Sequence, residues 1–281
     1  MRPKTLIAAI VPCLVAFSLY YYQSKVFATH IFLLCIGLGL CIQIATNFYN
    51  DAIDFLKGAD VDRIGPDRVT TQDQVGHKVV FLYGHFFIFL AILCAYPLFQ
   101  IGGLPFVFLG VCSLFLTYGY TGGPFPLAYL GLGEVFVFIF FGLVATVGSF
   151  YLMSLDLNVE IWICGSMLGL LSCSLIAVNN FRDRETDIKV NKRTLATKMS
   201  REIYLRLIDF FLFTPYVLIL YFIIKGDFKF IANLLSIGIA YKIHDGLDQI
   251  VDLRDCNKYL AKAGLHIGIF SLIFCGICLW I

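Results

Sequence analysis

The sequence predicts an all-α integral membrane protein, a bundle of nine transmembrane helices forming one domain over residues 1–281. Three observations carry that prediction. The chain of 281 residues is 59% hydrophobic and only 14% charged, outside the range of ordinary soluble domains. Its apolar residues come in long uncharged blocks, and a block of about 18 or more reads as a helix long enough to cross a bilayer. Its Lys and Arg fall almost entirely on one side of the spans that those blocks define.

The spans lie at roughly 5–22, 30–50, 79–99, 103–120, 132–154, 160–180, 203–224, 229–244 and 260–281. The first follows Arg2 and Lys4 and carries no small-residue cleavage pattern, so it is expected to stay as an anchor. The eighth is the most polar at its end, where Lys242, His244 and Asp245 crowd together. With the N-terminus on the cytoplasmic side of the inner membrane, eighteen Lys and Arg share that side. Only Lys25, Lys225 and Lys229 face the other. A miscounted span would mix these groups, so the asymmetry supports both count and orientation. The two longest polar loops, about 51–78 and 181–202, follow the second and sixth spans and share the cytoplasmic face. That placement suggests two related halves. Nine of the ten cysteines sit inside apolar blocks and read as small buried residues. Cys275 and Cys278 form a C-x-x-C with no second ligand pair, so no zinc or redox centre is expected there.

Chemistry concentrates where two spans end. The second ends in Asn47-Phe48-Tyr49-Asn50-Asp51-Ala52-Ile53-Asp54, and on a continuing helix Asn47, Asp51 and Asp54 share one face. The sixth ends in Asn179-Asn180-Phe181-Arg182-Asp183-Arg184-Glu185-Thr186-Asp187, where Asn179, Asp183 and Asp187 repeat at intervals of four. Two carboxylate clusters aimed into one bundle repel each other unless a cation sits between them. Oxygen-only ligands suit Mg²⁺, which keeps some waters and shares phosphate oxygens with its protein ligands. Lys57, Arg63 and Arg68 follow the first cluster, and Lys192, Arg193 and Lys198 follow the second. Metal-bridged carboxylates with surrounding cations make a site for a diphosphate, whose charge grows as it leaves. A cation-coupled transporter also places carboxylates at helix ends, but usually near the bilayer midplane.

These residues resemble a known family. The Asn50-Asp51-x-x-Asp54 run, the later Asp183-x-x-x-Asp187 and the nine spans look like the UbiA superfamily of intramembrane aromatic prenyltransferases. Three further stretches narrow the likeness to the branch that prenylates 1,4-dihydroxy-2-naphthoate in menaquinone synthesis. The first is Lys57-Gly58 with Arg63-Ile64-Gly65-Pro66-x-Arg68. The second is Tyr120-Thr121-Gly122-Gly123-Pro124 with the run from Gly131 to Gly142, and the third is Lys192-Arg193-Thr194-Leu195. The likeness covers the chain from Arg2 to about Ser200, then only Leu265-His266. Two departures stand out. Gly58 occupies the place of the superfamily's third aspartate, with Asp60 nearby, and the naphthoate branch is similar there. Asn191 stands where a glycine usually precedes Lys-Arg-Thr-Leu.

The resemblance implies a UbiA-type bundle with a central cavity open to the cytoplasmic side. It implies transfer of a polyprenyl group from a polyprenyl diphosphate to 1,4-dihydroxy-2-naphthoate, with loss of CO₂ and diphosphate, giving demethylmenaquinone. Mg²⁺ would be held by Asp51, Asp54, Asp183 and Asp187, with Asn47 and Asn179 beside them. Expected partners are the two substrates and membrane lipid, with no nucleic acid. The closest rival acceptor is 4-hydroxybenzoate, but that branch carries a Lys-Arg pair that the stretch Tyr120 to Leu132 lacks.

Glu134 opens the apolar run Val135 to Phe141. A carboxylate at mid-bilayer depth costs about 2.5–3.5 kcal/mol on insertion scales, which favours a functional role. The resemblance implies that this role lies near the acceptor, together with Asn50 and Tyr120. Tyr118 reads as an interfacial anchor, and His85 and His266 as histidines satisfied by neighbouring helices. His244, Asp245, Asp248 and Asp252 read as a solvated amphipathic face.

Overall fold

The structure is a computed structural model, and it describes residues 3–56, 76–123 and 126–280. Among these residues the secondary structure is helical throughout. Helix α1 covers Pro3–Ser24, α2 Thr29–Leu56, and α3 His77–Gly119. Helix α4 (Gly133–Val137) runs into a π-helical stretch, Phe138–Val147, and then into α5 (Gly148–Ser154). The long α6 (Val159–Lys189) is followed by α7 (Leu195–Lys198), α8 (Arg201–Leu218) and α9 (Leu220–Ile224). A 3₁₀ segment (Phe228–Ser236), α10 (Ile237–Asp248), a short 3₁₀ turn (Leu253–Asp255) and α11 (Cys256–Leu279) complete the chain.

Seven helical stretches among the described residues are long and apolar enough to span a membrane. The difference from the predicted nine arises at two places. The predicted third and fourth spans both lie within α3, whose helical geometry breaks at Gly103 (φ 68°, ψ −161°). That left-handed backbone is open to glycine and strained for other residues. The Tyr49 ring shows that the chain doubles back there. Its centroid is 5.5 Å from that of His85 and 5.7 Å from that of Tyr118. In one straight helix, two residues this far apart in sequence would be separated by roughly 50 Å. The arms 77–102 and 104–119 therefore pack side by side as two helices. The predicted eighth span is the nine-residue 3₁₀ segment joined to the 12-residue α10, each short of a full crossing by itself.

The ends of α2 and α6 also differ from the predicted loops. Helix α2, of 28 residues, carries Asp51 and Asp54 in its last two turns. Helix α6, of 31 residues, continues through Lys189, so the first part of the loop expected at 181–202 is helix. At 1.5 Å per residue both helices exceed a hydrocarbon core of about 30 Å. Their acidic ends consequently reach the rim of the membrane. Asn158 starts α6 by accepting from the Ile161 N–H at 3.0 Å, and Ser200 starts α8 by accepting from Ile203 at 3.3 Å.

In lipid, small residues let helices approach closely enough for van der Waals packing to hold them. Gly165 and Gly169 of α6 face Gly142 of the π-helical stretch. A Cβ on Gly142 would lie 2.5 Å from the Gly169 Cα and 2.7 Å from the Gly165 carbonyl oxygen. This contact pins the helical run that carries Glu134 near its start against the helix that carries Asp183 and Asp187 near its end. Outward faces are apolar instead, with Phe86, Phe89, Phe108 and Phe115 exposed along α3. All ten cysteines are unpaired, and Cys275 and Cys278 are buried in α11.

Candidate active site

Helices α1, α2, α4, α5 and α6, both arms of α3 and the π-helical stretch, with Leu260 of α11, line a cavity of about 660 Å³. Its polar end is lined by Asn47, Asn50, Asp51 and Asp54 from α2, and by Asn179, Asn180, Arg182 and Asp183 from α6. Tyr120, Thr121, Glu134 and Lys192 join them. The remainder is apolar, with Leu98, Phe99, Phe106, Phe136, Phe140, Phe141 and Leu152 among its walls. Among the described residues, five phenylalanines thus face this space.

The two acidic helix ends meet here. Asp51, Asp54, Asp183 and Asp187 are all buried, between 4% and 8% exposed. Asp183 is clamped by Arg182, whose Nε donates to Oδ1 at 2.7 Å and Nη2 to Oδ2 at 2.8 Å. The same guanidinium donates to Asn179 at 2.9 Å and to Asn257 of α11 at 2.8 Å, which fixes it among three helix turns. Asn179 in turn donates to Asp183 Oδ2 at 3.3 Å. On the α2 side, the Tyr129 hydroxyl donates to Asp54 Oδ1 at 3.2 Å, and Thr121 donates to Asn50. Lys192 joins the two sides. Its Nζ is 3.2 Å from Asp187 Oδ1 and lies 5.9 Å over the Tyr129 ring. Asp54 and Asp183 both act electrostatically on Asp187, so the two acidic groups share one field.

Of the predicted site residues, Asn47, Asn50, Asp51, Asp54, Tyr120, Glu134, Asn179, Asp183 and Lys192 line the cavity. Asp187 stands one turn beyond, behind Lys192. Arg193 and Lys198 are exposed and lie further out. Lys198 Nζ donates to the Leu130 carbonyl at 2.8 Å, and the Arg193 N–H donates to Tyr129. Lys57, Arg63 and Arg68 lie outside the described residues. Tyr118 is half exposed and packs edge-on against Tyr49, as an anchor at a helix end does. His85 bonds within its own helix, to the Phe81 carbonyl at 2.7 Å, whereas His266 of α11 bonds to Tyr216 of α8. His244 pairs with Asp209 of α8 at 2.8 Å and remains partly exposed.

The donors fit a hard divalent cation. Carboxylate and amide oxygens from two helices line one wall, and Asp187 Oδ2 is buried without a hydrogen-bond partner. Among the described residues, no three His, Cys, Asp or Glu side chains converge into a ready-made metal centre. Mg²⁺ commonly takes one or two carboxylates and completes its shell with water and phosphate, so an open acidic wall matches it better than a closed cage would.

Arg182, Asn180, Tyr129, Thr121 and Tyr204 had no place in the sequence-derived site. Arg182 carried a signal, since it precedes Asp183 and stands three residues after Asn179 on one helix. A cation at the end of a membrane-spanning helix is nevertheless ordinary, which concealed it. Tyr129 and Tyr204 gave none, because their contacts span 75 and 70 residues.

Known proteins resemble this chain in sequence and in fold. The sequence matches the UbiA prenyltransferase family over residues 9–265. It is 32% identical over 211 residues to a 1,4-dihydroxy-2-naphthoate octaprenyltransferase of Haemophilus influenzae, covering 70% of this chain and 67% of that protein. Among solved structures, the fold is similar to a UbiA homolog from Aeropyrum pernix K1, with a TM-score of 0.72 at 13% identity over 97% of this chain and 98% of that one. A UbiA homolog from Archaeoglobus fulgidus bound to GPP and Mg²⁺ superposes with a TM-score of 0.68 at 14% identity, over 99% of this chain and 97% of that one. The chain belongs to the UbiA prenyltransferase family.

Proposed function

We propose that the protein transfers a polyprenyl group from a polyprenyl diphosphate to 1,4-dihydroxy-2-naphthoate, using Mg²⁺. The observation that carries this reading is the cavity itself. Acidic groups from two helix ends share one polar mouth, and the space continues among apolar and aromatic side chains. A diphosphate fits the first zone with its metal, and an isoprenoid chain fits the second. The relative named for naphthoate prenylation and the neighbour bound to GPP and Mg²⁺ support the same pairing of substrates. Family membership also favours an enzyme over the cation-coupled transporter.

The chemistry divides among the residues. Asp51, Asp54 and Asp183, with Asn47 and Asn179, would hold the cation, and Asp187 would act from the next turn. Bound there, Mg²⁺ would supply positive charge to the diphosphate oxygens as the allylic carbon–oxygen bond breaks and its electron pair leaves with diphosphate. Lys192 adds a cation at the same polar end, and Arg182 holds Asp183 in place. The aromatic wall excludes water from the prenyl cation and offers it π faces. The ring carbon bearing the carboxylate then forms the new bond. Loss of CO₂ returns the electron pair to the ring, so the product leaves as the quinol, the reduced form of demethylmenaquinone.

Turnover in purified membranes tests this. Radiolabelled polyprenyl diphosphate is supplied with 1,4-dihydroxy-2-naphthoate or with 4-hydroxybenzoate, and with Mg²⁺ or EDTA. The reading expects a prenylated, decarboxylated naphthalene product that disappears with EDTA. Prenylation of 4-hydroxybenzoate alone would overturn the acceptor assignment.

A further inference from the structure

Glu134 is 3% exposed, yet its carboxylate is bonded on one oxygen only. Oε1 accepts from Asn180 Nδ2 at 3.0 Å and from the Tyr204 hydroxyl at 2.8 Å. Oε2 is buried without a partner, while the residue lines the cavity. Oε2 is therefore the carboxylate oxygen left to exchange a hydrogen bond with a bound molecule. A buried carboxylate oxygen kept without a partner is unfavourable unless a ligand completes it.

Tyr204 comes from α8, which contributes no side chain to the cavity wall. It is 1% exposed and stands behind Glu134. Its ring stacks on Phe181 (centroids 6.5 Å, 9° between planes), and Arg201 covers the other part of that pair at 5.7 Å from Phe181. The hydroxyl also lies 3.3 Å from the Ala177 carbonyl. Packing thus fixes the ring, and the ring fixes the hydroxyl. From the other side, the Cys173 thiol donates to the Glu134 carbonyl at 3.1 Å and holds the backbone.

Resting on the acceptor reading above, we infer that Tyr204 is a positioning residue. Through Oε1 it holds Glu134 so that Oε2 meets a hydroxyl of the aromatic acceptor, and it has no part in holding the diphosphate. The acceptor's ring orientation, and with it which carbon faces the prenyl cation, would follow from this one contact. Asn180 shares the task from within the cavity. Helix α8, which lines none of the cavity among the described residues, reaches the acceptor side of the site through this hydroxyl.

The test uses the full-length enzyme in membranes, wild type beside Y204F, E134Q and the double variant. Each is assayed with whichever of dihydroxynaphthoate and 4-hydroxybenzoate the wild type prenylates. Y204F removes one oxygen and leaves the stacked ring, so its melting temperature is expected to match wild type. Its kcat/KM for the acceptor should fall roughly 10- to 100-fold, the scale of a misplacement of about 1 Å, with KM for the prenyl diphosphate unchanged. Adding Y204F to E134Q should produce no further loss, because the residue acts through Glu134. A multiplicative loss in the double variant, or equal rises in KM for both substrates, would show a merely structural role. Wild-type kinetics in Y204F would remove the positioning role and leave the acceptor reading standing. A wild-type enzyme that prenylates neither compound would remove both.

Discussion

Two groups of buried polar side chains in this apolar bundle differ in kind, one at the cavity and one between α8, the 3₁₀ segment Phe228–Ser236 and α11. At the cavity the residues are acidic. They are held by partners that fix one end of each side chain, as Arg182 holds Asp183 and Tyr204 holds Glu134. Atoms such as Glu134 Oε2 are then left toward open volume. In the second group no residue is a carboxylate, and the side chains bond mainly among themselves, with Asn233 Oδ1 and His266 Nδ1 left without a partner inside closed packing rather than toward a cavity. The Tyr216 hydroxyl lies 2.7 Å from Ser236 Oγ and 2.6 Å from His266 Nε2, and Asn233 donates to the Phe270 carbonyl at 2.8 Å. Rings of Phe222, Phe230, Phe270 and Phe274 close around it. None of the second group lines the cavity. The difference teaches that buried polarity in a membrane bundle marks a functional site when it is charged and faces space, and marks helix packing when it is neutral and closed.

The largest effect should fall on the acidic pair. Asp51→Asn keeps the side-chain shape but removes charge where the metal and diphosphate meet, and turnover should fall roughly 10²- to 10³-fold with the melting temperature preserved. Asp183→Asn should lose turnover on the same scale and also lower the thermal midpoint, because it weakens the buried pair with Arg182. Arg182→Met comes next and should affect both stability and turnover. It strands a buried Asp183 and unties Asn257, and breaking such a pair costs about 3–5 kcal/mol, read as a lower thermal midpoint in detergent. Tyr216→Phe should matter least. Interhelical hydrogen bonds in bilayers average roughly 0.6 kcal/mol, so a small stability loss is expected with turnover within twofold of wild type. If Tyr216→Phe abolished activity while folding normally, the division between the two groups would fail.

Much of this was legible in the sequence, because membrane physics writes in a coarse alphabet. Long apolar blocks gave the helices, and intervals of three and four put Asn47, Asp51 and Asp54 on one face, as did Asn179, Asp183 and Asp187. Glu134 stood out by its expense. The helical hairpin in α3 was legible only as two spans, since the turn at Gly103 is confined to one residue's backbone angles. The second polar loop was misjudged because apolar patterning stops near Asn180, whereas the helix continues to Lys189 as an acidic and basic extension beyond the core. Tyr204 and Tyr129 left no local trace, because their partners are distant in sequence and a tyrosine near a membrane boundary is ordinary.

The central claim is that α2 and α6 hold one cation–diphosphate assembly between them. The most direct measurement is the Mg²⁺ activation curve of wild type, D51N, D183N and the D51N/D183N double variant under saturating substrates. One shared site predicts that each single change shifts half-activation to higher Mg²⁺ and that the two losses are strongly non-additive. Activity in EDTA equal to that with Mg²⁺, or two independent and multiplicative shifts, would contradict it.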